Sequence, residues 1–338
     1  MPKDSFNDAN TSGGRPIPKP QNQLRIRAAW LYHIEGMTQS DVAKKLGVNR
    51  IMITRLLSEA RKRGEVVIRI KSELAELVEL QQQLQERFDL DQAIIAPLED
   101  EKDDPTRVIA AAAGAYVSEL MQNGLTIGVG WGQTLHAMLP YLEERSLSDV
   151  RVVSLLGGIA QAKRFNPAEF AWQFAELFEA EGYLIPAPAV VDSAQTRHSL
   201  LENCGLEQIL QLAESCDVAL LSCGGITTLT TSYRSGHVAE AARQALIEAG
   251  AVGDVLYHFL DANGKLVDHS VNSRSISILL ERLKLIPKKV LMSGGPEKIE
   301  ILKATMTSIE PTVLITDEVT ARALLEEVVV GQAIEALS

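Results

Sequence analysis

The sequence predicts an α/β protein in which a small helix-turn-helix domain precedes a larger, doubly wound parallel sheet. Residues 37–63 carry two short amphipathic helical patterns that meet at a glycine, as in a helix-turn-helix. From residue 92 onward, short apolar runs alternate with helical stretches, as in a parallel sheet covered by helices. With 338 residues and 46% hydrophobic content, the chain is long enough for both domains.

Shifts in composition indicate the first boundaries. Residues 1–20 are rich in Pro, Asn, Gly and Ser and lack an apolar period, so we expect a disordered tail rather than an export signal. Residues 21–71 would form the helix-turn-helix domain, beginning with a supporting helix at about 22–35. Alternating apolar residues between Val66 and Ile70 predict a short strand, in the position of a wing.

A leucine seam connects this domain to the next. In the predicted linker helix at residues 72–90, Leu77, Leu80 and Leu84 share one face. The seam fits a short coiled coil between copies of the chain, and it equally fits a helix laid on the following domain, residues 91–338. DNA readers with this kind of fold usually act as symmetric dimers, which favours self-association.

Capping residues define both helices of the helix-turn-helix. Thr38 is a natural N-cap for the first helix, and Asp41 stands three residues later as in a capping box. Gly47 supplies the backbone freedom that the turn requires, and Asn49 can cap a second helix that stops at Gly64. The second helix is apolar on one face, so its polar face is the one that a DNA major groove would meet.

The charge distribution indicates a polyanionic partner for this domain. Residues 21–71 contain eleven Lys or Arg against four Asp or Glu, whereas the whole chain has a net charge of −11. We expect this partner to be double-stranded DNA. Arginines would form bidentate hydrogen bonds with guanine, and the start of the first helix would bind phosphates. The alternative is an ordinary amphipathic helix pair with a solvated basic face. The predicted DNA-contacting residues are Thr38, Gln39, Ser40, Asn49, Arg50, Ile51, Thr54, Arg55 and Ser58.

The second domain is predicted from seven apolar runs with strand character. These strands are residues 92–96, 125–130, 150–155, 217–223, 255–260, 288–293 and 312–316. Helices are predicted at residues 105–122, 133–142, 167–181, 237–248, 275–284, 297–306 and 317–328. Open sheets bind ligands at the carboxyl ends of their strands, so we expect the ligand site in the loops after the strands.

One of these loops has the composition of an anion site. In IGVGWGQTL, residues 127–135, Gly128, Gly130 and Gly132 lack a Cβ atom, so their amides can approach an anion, and Thr134 adds a hydroxyl. The loop is neither GxGxxG nor a Walker A, so a dinucleotide or a nucleoside triphosphate is not the first expectation. The alternative is a tight strand-to-helix turn without ligand. Three glycine pairs that follow other predicted strands would leave room for a ligand along the rim of the sheet, the edge formed by the carboxyl ends of its strands. These pairs are Gly157 with Gly158, Gly224 with Gly225, and Gly294 with Gly295.

Charged residues near the rim allow two interpretations. Lys298 follows the last glycine pair in the first turn of a helix, where it is unfavourable with the helix dipole unless an anion is near, which favours ligand binding. Asp254 and Asp261 could hold sugar hydroxyls or could cap turns. For Asp317 and Glu318, which open a helix, capping is the favoured explanation.

Composition also limits the function classes. The three cysteines form no CxxC pair and the six histidines lack metal-ligand spacing, so we predict no metal, no cofactor and no catalytic residue. The odd cysteine count suits a reducing cytosol, and no apolar run reaches membrane-spanning length. We therefore expect a cytoplasmic protein without a membrane partner.

Eight motifs occur in order along the chain: TQSDVAKKLGVNRIMITRLLSEARKRG, GVGWGQTL, LLGG, PAPAVV, GAVGDV, FLD, GGPEK and LITDEVTA. Over roughly residues 22–328 this set resembles the SorC family (SorC/DeoR type) of sugar-responsive bacterial transcriptional regulators. The resemblance implies an effector domain folded like sugar-phosphate isomerases and deaminases but without their catalysis. It also implies that a phosphorylated sugar alters how an oligomer grips its operator. The phosphate would then lie near Gly130, Trp131, Gln133 and Thr134, and the sugar near Asp254, Asp261 and Lys298.

Two segments depart from the family's pattern. The second helix begins NRIMITR, where relatives often have a serine and a proline before the serine-arginine pair, and SCGGI at residues 222–226 is an atypical version of its loop. Base preference and effector identity are therefore not transferred.

The leading hypothesis is a DNA-binding transcriptional regulator whose operator affinity is gated by a sugar, polyol or sugar phosphate, and which acts as a homo-oligomer, dimer or tetramer. A rival is a sugar-phosphate isomerase or deaminase with an appended DNA-binding module, although no general base is identifiable from the sequence. A purely architectural DNA binder would leave the glycine-lined rim without purpose.

Overall fold

The computed structural model describes residues 20–66, 75–98, 103–159, 166–227 and 238–326. The chain divides into two compact units, Met1–Ile68 and Arg69–Ser338, which we call the head and the body and describe separately. Most of the strand predicted between Val66 and Ile70 lies outside the described residues.

Three helices form the head: α1 (Pro20–His33), α2 (Gln39–Leu46) and α3 (Arg50–Lys62). Before α2, Thr38 Oγ1 accepts a hydrogen bond from Asp41 N at 3.3 Å and donates one to the Asp41 carboxylate at 2.7 Å. Gly47 ends α2 with a φ of 68°, a left-handed conformation that favours glycine. Asn49 Oδ1 accepts from Met52 N at 2.8 Å and so caps α3. The predicted caps and turn of the helix-turn-helix are confirmed.

A single small core holds the head together. It contains Ala28, Ala29, Leu31, Val42, Ala43, Ile53, Leu56, Leu57 and Ala60, with contributions from all three helices. Arg25, only 3% exposed, pairs with Glu65 and lies near Glu59, so it ties α1 to the end of α3 and the residues just after it. Because an unpaired buried guanidinium is costly, removing one of these partners would destabilise the head.

The described part of the body contains ten strands: β1 (Gln92–Ala96), β2 (Thr126–Val129), β3 (Arg151–Gly158), β4 (Glu181–Pro188), β5 (Val218–Leu221), β6 (Gly224–Gly225), β7 (Ala251–Val255), β8 (His258–Asp261), β9 (Lys288–Met292) and β10 (Val313–Asp317). Seven form one parallel sheet in the order β1-β10-β9-β5-β2-β3-β4. The strands β6, β7 and β8 form a small antiparallel sheet. The predicted α/β class with a doubly wound parallel sheet is confirmed.

The helices of the body are α4 (Ala75–Phe88), α5 (Thr106–Leu120), α6 (Gln133–Met138), α7 (Pro167–Leu177), α8 (Ala194–Asn203), α9 (Leu206–Glu214), α10 (Glu240–Glu248), α11 (Ser270–Arg274), α12 (Leu280–Leu283), α13 (Ile299–Ile309) and α14 (Glu318–Leu325). Strand side chains alternate between two apolar cores. In β9, for example, Leu291 joins one core, whereas Val290 and Met292 join the other. Each face of the sheet is therefore covered, which explains the nearly continuous apolar runs of the sequence.

The leucine seam of α4 is buried within the body. Leu77, Leu80 and Leu84 belong to one of the two cores, and α4 packs against β1 and α14. Of the two alternatives for this seam, the helix laid on the following domain is the one found in the described part of α4. The seam is consequently occupied and is not open to a coiled-coil partner.

The order of the sheet reverses between β2 and β5. From β2 the chain moves outward through β3 and β4, then returns to β5 on the other side of β2 and moves outward through β9 and β10. Loops that leave such a reversal point diverge to opposite faces and open a crevice at the carboxyl ends of the strands. The fold therefore directs attention to the segments after Val129 and after Leu221.

Two predictions of secondary structure were wrong for a shared reason. The strand predicted at 255–260 is a hairpin, because Leu256 and Tyr257 form a tight turn with positive φ between β7 and β8. The segment predicted as a helix at 275–284 begins with extended residues 275–279, which bridge to Leu156 and Val190, and only Leu280–Leu283 within it is helical. Both outcomes depend on tertiary contacts that local periodicity does not encode. The strand β4 and the helices α8 and α9 had not been predicted.

None of the helices within the described ranges is both long and apolar enough to cross a membrane.

Candidate functional site

The outer face of α3 presents the predicted base-reading residues. Arg50, Ile51, Thr54, Arg55 and Ser58 are all exposed, and Ile51 retains 81% of its accessible surface. One shallow groove on this face is lined by six residues, Ile51, Thr54, Arg55, Ser58, Glu59 and Lys62, and the first four of them are predicted contacts. The DNA major groove presents thymine methyl groups, which an exposed isoleucine can contact, and hydrogen-bond acceptors, to which exposed arginines can donate.

The remaining predicted DNA contacts lie at the starts of α2 and α3. Thr54 Oγ1 donates to Gln39 Oε1 at 3.0 Å, so α2 and α3 are joined by polar side chains on this face. The side chains of Thr38 and Asn49 serve as helix caps. Ser40 is exposed in the first turn of α2. The head therefore brings all nine predicted contacts onto or beside one helix pair.

The loops after β2 and β5 meet at the reversal point of the sheet. Gly130 N donates to Leu220 O at 2.8 Å. Gly132 has a φ of 130°, a conformation that side chains rarely adopt, and a Cβ atom placed on it would lie 3.6 Å from Ser222 Cβ. The predicted loop thus requires glycine at residue 132 for its backbone.

Other glycines of the predicted site have packing roles. A Cβ atom on Gly128 would lie 2.6 Å from Leu155 Cδ2, and one on Gly157 would lie 2.5 Å from Ala187 O. At Gly158 the nearest atoms are 3.7 Å away, which is ordinary contact. At Gly128 and Gly157, close packing therefore already requires a residue without a side chain.

Trp131 and Thr134 belong to the interior of this loop. Trp131 is 5% exposed and stacks on Tyr257, with ring centroids 4.9 Å apart and planes inclined by 23°. Thr134 is buried, and Gln133 is half-buried. The loop is consequently held by aromatic packing from the β7–β8 hairpin.

The two predicted acidic residues occupy different ends of that hairpin. Asp254 pairs with Gly224 of β6, is 3% exposed, and accepts a hydrogen bond from Tyr257 N at 3.0 Å. Asp261 pairs with Ala251 at the other end of β7, where backbone hydrogen bonds from residues 265 and 263 lower the pKa of its carboxyl. Asp254 therefore lies at the crevice beside Gly224 and Gly225, whereas Asp261 caps a turn away from it.

Lys298 and Asp254 come from different segments that both adjoin β6, the strand that begins directly after Cys223. Burial raises the pKa of the Cys223 thiol to about 11, while the positive charge of Lys298 and the negative charge of Asp254 act on it in opposite directions. Cys223 Sγ also donates to Ser293 Oγ at 3.4 Å. The cysteine thus lies within electrostatic range of two residues that the sequence assigned to one effector site.

The turn that carries Lys298 is anchored to the last strand. Thr320 Oγ1 accepts from Gly295 N at 2.8 Å and donates to the Asp317 carboxylate at 2.6 Å. The same carboxylate lies where a Cβ atom on Gly294 would be. Asp317 is the N-cap of α14, as predicted, and Gly294 is required by its proximity.

Sequence reasoning missed several residues of this crevice. Ser222, Cys223 and Ser293 are buried just after β5 and β9, and Tyr257 supports the loop that contains Trp131. For the first three the signal was present, because each lies at or directly after a predicted strand end. No local pattern indicated Tyr257.

Three comparisons agree on one family. A family model for a sugar-binding domain, Sugar-bind, matches residues 72–326. The deoxyribonucleoside regulator of Bacillus subtilis (strain 168) is 29% identical over 314 residues, 92% of this chain and 100% of that protein. The erythritol catabolism regulatory protein EryD of Brucella abortus (strain 2308) is 30% identical over 306 residues, 90% of this chain and 96% of that protein.

Solved structures extend the agreement. The crystal structure of the full-length sorbitol operon regulator SorC from Klebsiella pneumoniae is similar with a TM-score of 0.68 and 27% identity, covering 90% of this chain and 99% of that chain. These matches span the helix-turn-helix as well as the α/β body. The chain therefore belongs to the SorC/DeoR-type family of sugar-responsive transcriptional regulators, whose action is gated by an effector.

Proposed function

We propose that this regulator responds to a phosphorylated sugar or polyol, bound where the loops after β2, β5 and β9 meet. The observation that carries the proposal is geometric: the turn Pro296–Lys298 packs against β6, and β6 pairs through Gly224 with Asp254 of β7. A cation and a hydroxyl-accepting carboxylate in one crevice match a ligand with phosphate at one end and hydroxyls at the other.

The proposed contacts divide by chemistry. Lys298 and the segment from Gly130 to Thr134 hold the phosphate, because a cation, backbone amides and a hydroxyl are its usual partners in proteins. Asp254 accepts hydrogen bonds from the sugar hydroxyls, and the glycine pairs after β3 and β5 leave room for the ring or chain. Asp261 contributes indirectly, by capping the turn at residues 261–265 that follows β8, since it lies at the far end of the hairpin from Gly224.

We propose that the head reads operator DNA in the major groove. Arg50, Ile51 and Arg55 contact bases, and Gln39 and Ser40 hold phosphates, in line with their exposure on one helix pair. A homo-oligomer, dimer or tetramer, would place two heads on half-sites one helical turn apart. The chain as a whole carries a net charge of −11, so the basic head is the part suited to the polyanion.

The body is proposed to bind its ligand without turnover. Asp254 already accepts a hydrogen bond from Tyr257 N, and His258 Nε2 lies 2.9 Å from Ile278 O and 3.0 Å from Ser277 Oγ. Neither arrangement is that of a base poised over a substrate. Sugar phosphates incubated with the purified protein should be recovered unchanged by NMR, and turnover lost in Asp254→Asn would favour the isomerase alternative.

A thermal-shift panel tests the effector class. Relatives are named for deoxyribonucleosides, erythritol and sorbitol, so the panel pairs deoxyribose 5-phosphate, erythritol 4-phosphate and sorbitol 6-phosphate with their unphosphorylated counterparts. A ligand that binds only the folded state raises the melting temperature. At least one phosphorylated member should stabilise the protein more than its partner does. Equal shifts for both members of every pair would refute the phosphate requirement.

Operator binding must then respond to the same compound. Reciprocity requires that an effector which changes operator affinity has its own affinity changed by operator by the same factor. We therefore expect equal coupling factors from titrations performed in both orders. An effector that binds and leaves operator affinity constant would reject the proposed gating.

The cytoplasm, where DNA and sugar phosphates coexist, is the proposed location.

A further inference from the structure

The turn between β7 and β8 has an unfavourable backbone. Val255 pairs with His258, so Leu256 and Tyr257 form a two-residue turn, and their φ angles are 54° and 63°. Such turns are usually built from Asn and Gly, because both central residues need positive φ. Here both positions carry large side chains, and they are 1% and 0% exposed. Surrounding contacts must therefore enforce the conformation.

Two of those contacts fix the backbone of Tyr257. Its N–H donates to Asp254 Oδ2 at 3.0 Å, and Ser275 Oγ donates to its carbonyl oxygen at 3.1 Å. The carboxylate that caps the turn is the one placed at the crevice. Any ligand that donates hydrogen bonds to Asp254 therefore acts on the same carboxylate that holds the turn.

The side chains of the turn reach the loop after β2. The Tyr257 ring stacks on Trp131 at 4.9 Å between centroids, and Leu256 Cδ2 lies 3.1 Å from the place where a Cβ atom on Gly130 would be. The turn thus touches two successive residues of the GVGWGQTL loop. An unstrained Asn-Gly turn would lack both contacts.

We propose that Tyr257 is a positioning residue for the effector site. Its ring holds Trp131, and thereby the loop from Gly130 to Thr134, in the shape that receives the ligand. Through its N–H it also connects that loop to Asp254. This inference rests on the proposed function, because it takes the loop and Asp254 as parts of one effector site.

The chain offers a spectroscopic reporter for this contact. It has three tryptophans, and Trp30 and Trp172 are 57% and 62% exposed. Replacing both with Phe leaves Trp131 as the single emitter, with little expected cost to the fold. In this background Trp131 fluorescence reports directly on the stack, with or without a ligand.

Three variants separate positioning from packing. Tyr257→Phe keeps the stacked ring, Tyr257→Leu removes it, and Phe259→Leu removes an equally buried ring from the same hairpin. Without ligand, acrylamide should quench Trp131 more strongly in Tyr257→Leu alone. Unchanged quenching in that variant would overturn the proposal irrespective of any effector.

Ligand titrations complete the test, with deoxyribose 5-phosphate, erythritol 4-phosphate, sorbitol 6-phosphate and inorganic phosphate as probes. Affinity in Tyr257→Leu should fall about two- to tenfold, the range that an aromatic pair supports. Tyr257→Phe and Phe259→Leu should stay within about twofold of the parent, and effector-free operator affinity should not change. Stronger quenching of Trp131 in Tyr257→Leu together with unaltered probe affinity would overturn the positioning role. If no probe binds the parent, the proposed effector chemistry fails, while the quenching result still decides whether Tyr257 holds the loop.

Discussion

The proposed DNA-binding residues of the head lie outside its core, whereas the proposed effector site of the body includes residues inside its core. In α3, Ile51 is 81% exposed and Ile53, two residues later, is fully buried. In the body, Asp254 and Thr134 are 3% and 1% exposed, yet both belong to the proposed effector site. Substitutions at the proposed site of the head should therefore leave its stability unchanged, whereas substitutions at the proposed site of the body should affect stability as well as binding.

The largest expected effect is on folding of the head. Ile53→Ala should destabilise it by about 2–5 kcal/mol, because the cavity opens in a core of very few large side chains. Calorimetry should show the head melting earlier while the body's transition stays in place. Ile51→Ala is the matched control and should change stability by no more than about 0.5 kcal/mol. Similar losses in the two variants would contradict the separation claimed for the head.

Lys298→Ala tests the body's site with a smaller effect. Losing a charge-assisted hydrogen bond to phosphate should weaken effector binding by about 1.5–3 kcal/mol, measured by calorimetric titration. Operator affinity without effector should be unchanged. Lys303→Ala, within helix α13 whose N-cap is Lys298, is the control and should leave effector affinity as it was. If both lysines matter equally, nonspecific attraction rather than a site would be the explanation.

Arg55→Ala addresses the outer face of α3. If its guanidinium forks onto guanine, operator binding should weaken by about 1–3 kcal/mol and discrimination should relax at one base position. Arg55→Lys should not restore it, since a lysine cannot form the fork. Binding assays on operator variants would measure both quantities. The melting temperature should stay constant, and a marked drop would assign this arginine to the fold.

The smallest effect concerns acid sensitivity of the head. The hydrogen bond from Arg25 lowers the pKa of Glu65 below its ordinary value. This contribution to stability is therefore present above the unfolded-state pKa of about 4.3 and is lost as the pH falls below it. In Glu65→Gln, the head's melting temperature should depend less on pH between 6 and 3 than in the parent. An unchanged slope would show that the pair contributes nothing to acid sensitivity.

The head was more fully predictable from the sequence than the body. The caps Thr38 and Asn49 and the turn at Gly47 act on neighbours within four residues, so local pattern was sufficient for the head. The parallel sheet was also predictable, because strands buried on both faces are apolar throughout.

The crevice was predictable only in outline. That loops after strands would form it followed from the fold class, but its composition depends on segments far apart in the chain, such as Cys223 with Ser293. Tyr257 was not predictable, since its turn exists only because Asp254, Ser275 and Trp131 hold it. A tertiary environment that overrides local preference leaves no signal in the local sequence.

The chain of hydrogen bonds from Gly295 through Thr320 to Asp317 has a practical consequence for redesign. Because the carboxylate fills the space beside Gly294, enlarging that glycine would displace the turn on which Lys298 stands. Engineers who wish to retarget the regulator as a biosensor should leave this anchor intact. Libraries should vary Ser222, which faces Gly132 of the loop after β2, and should keep Cys223, whose thiol donates a hydrogen bond to Ser293.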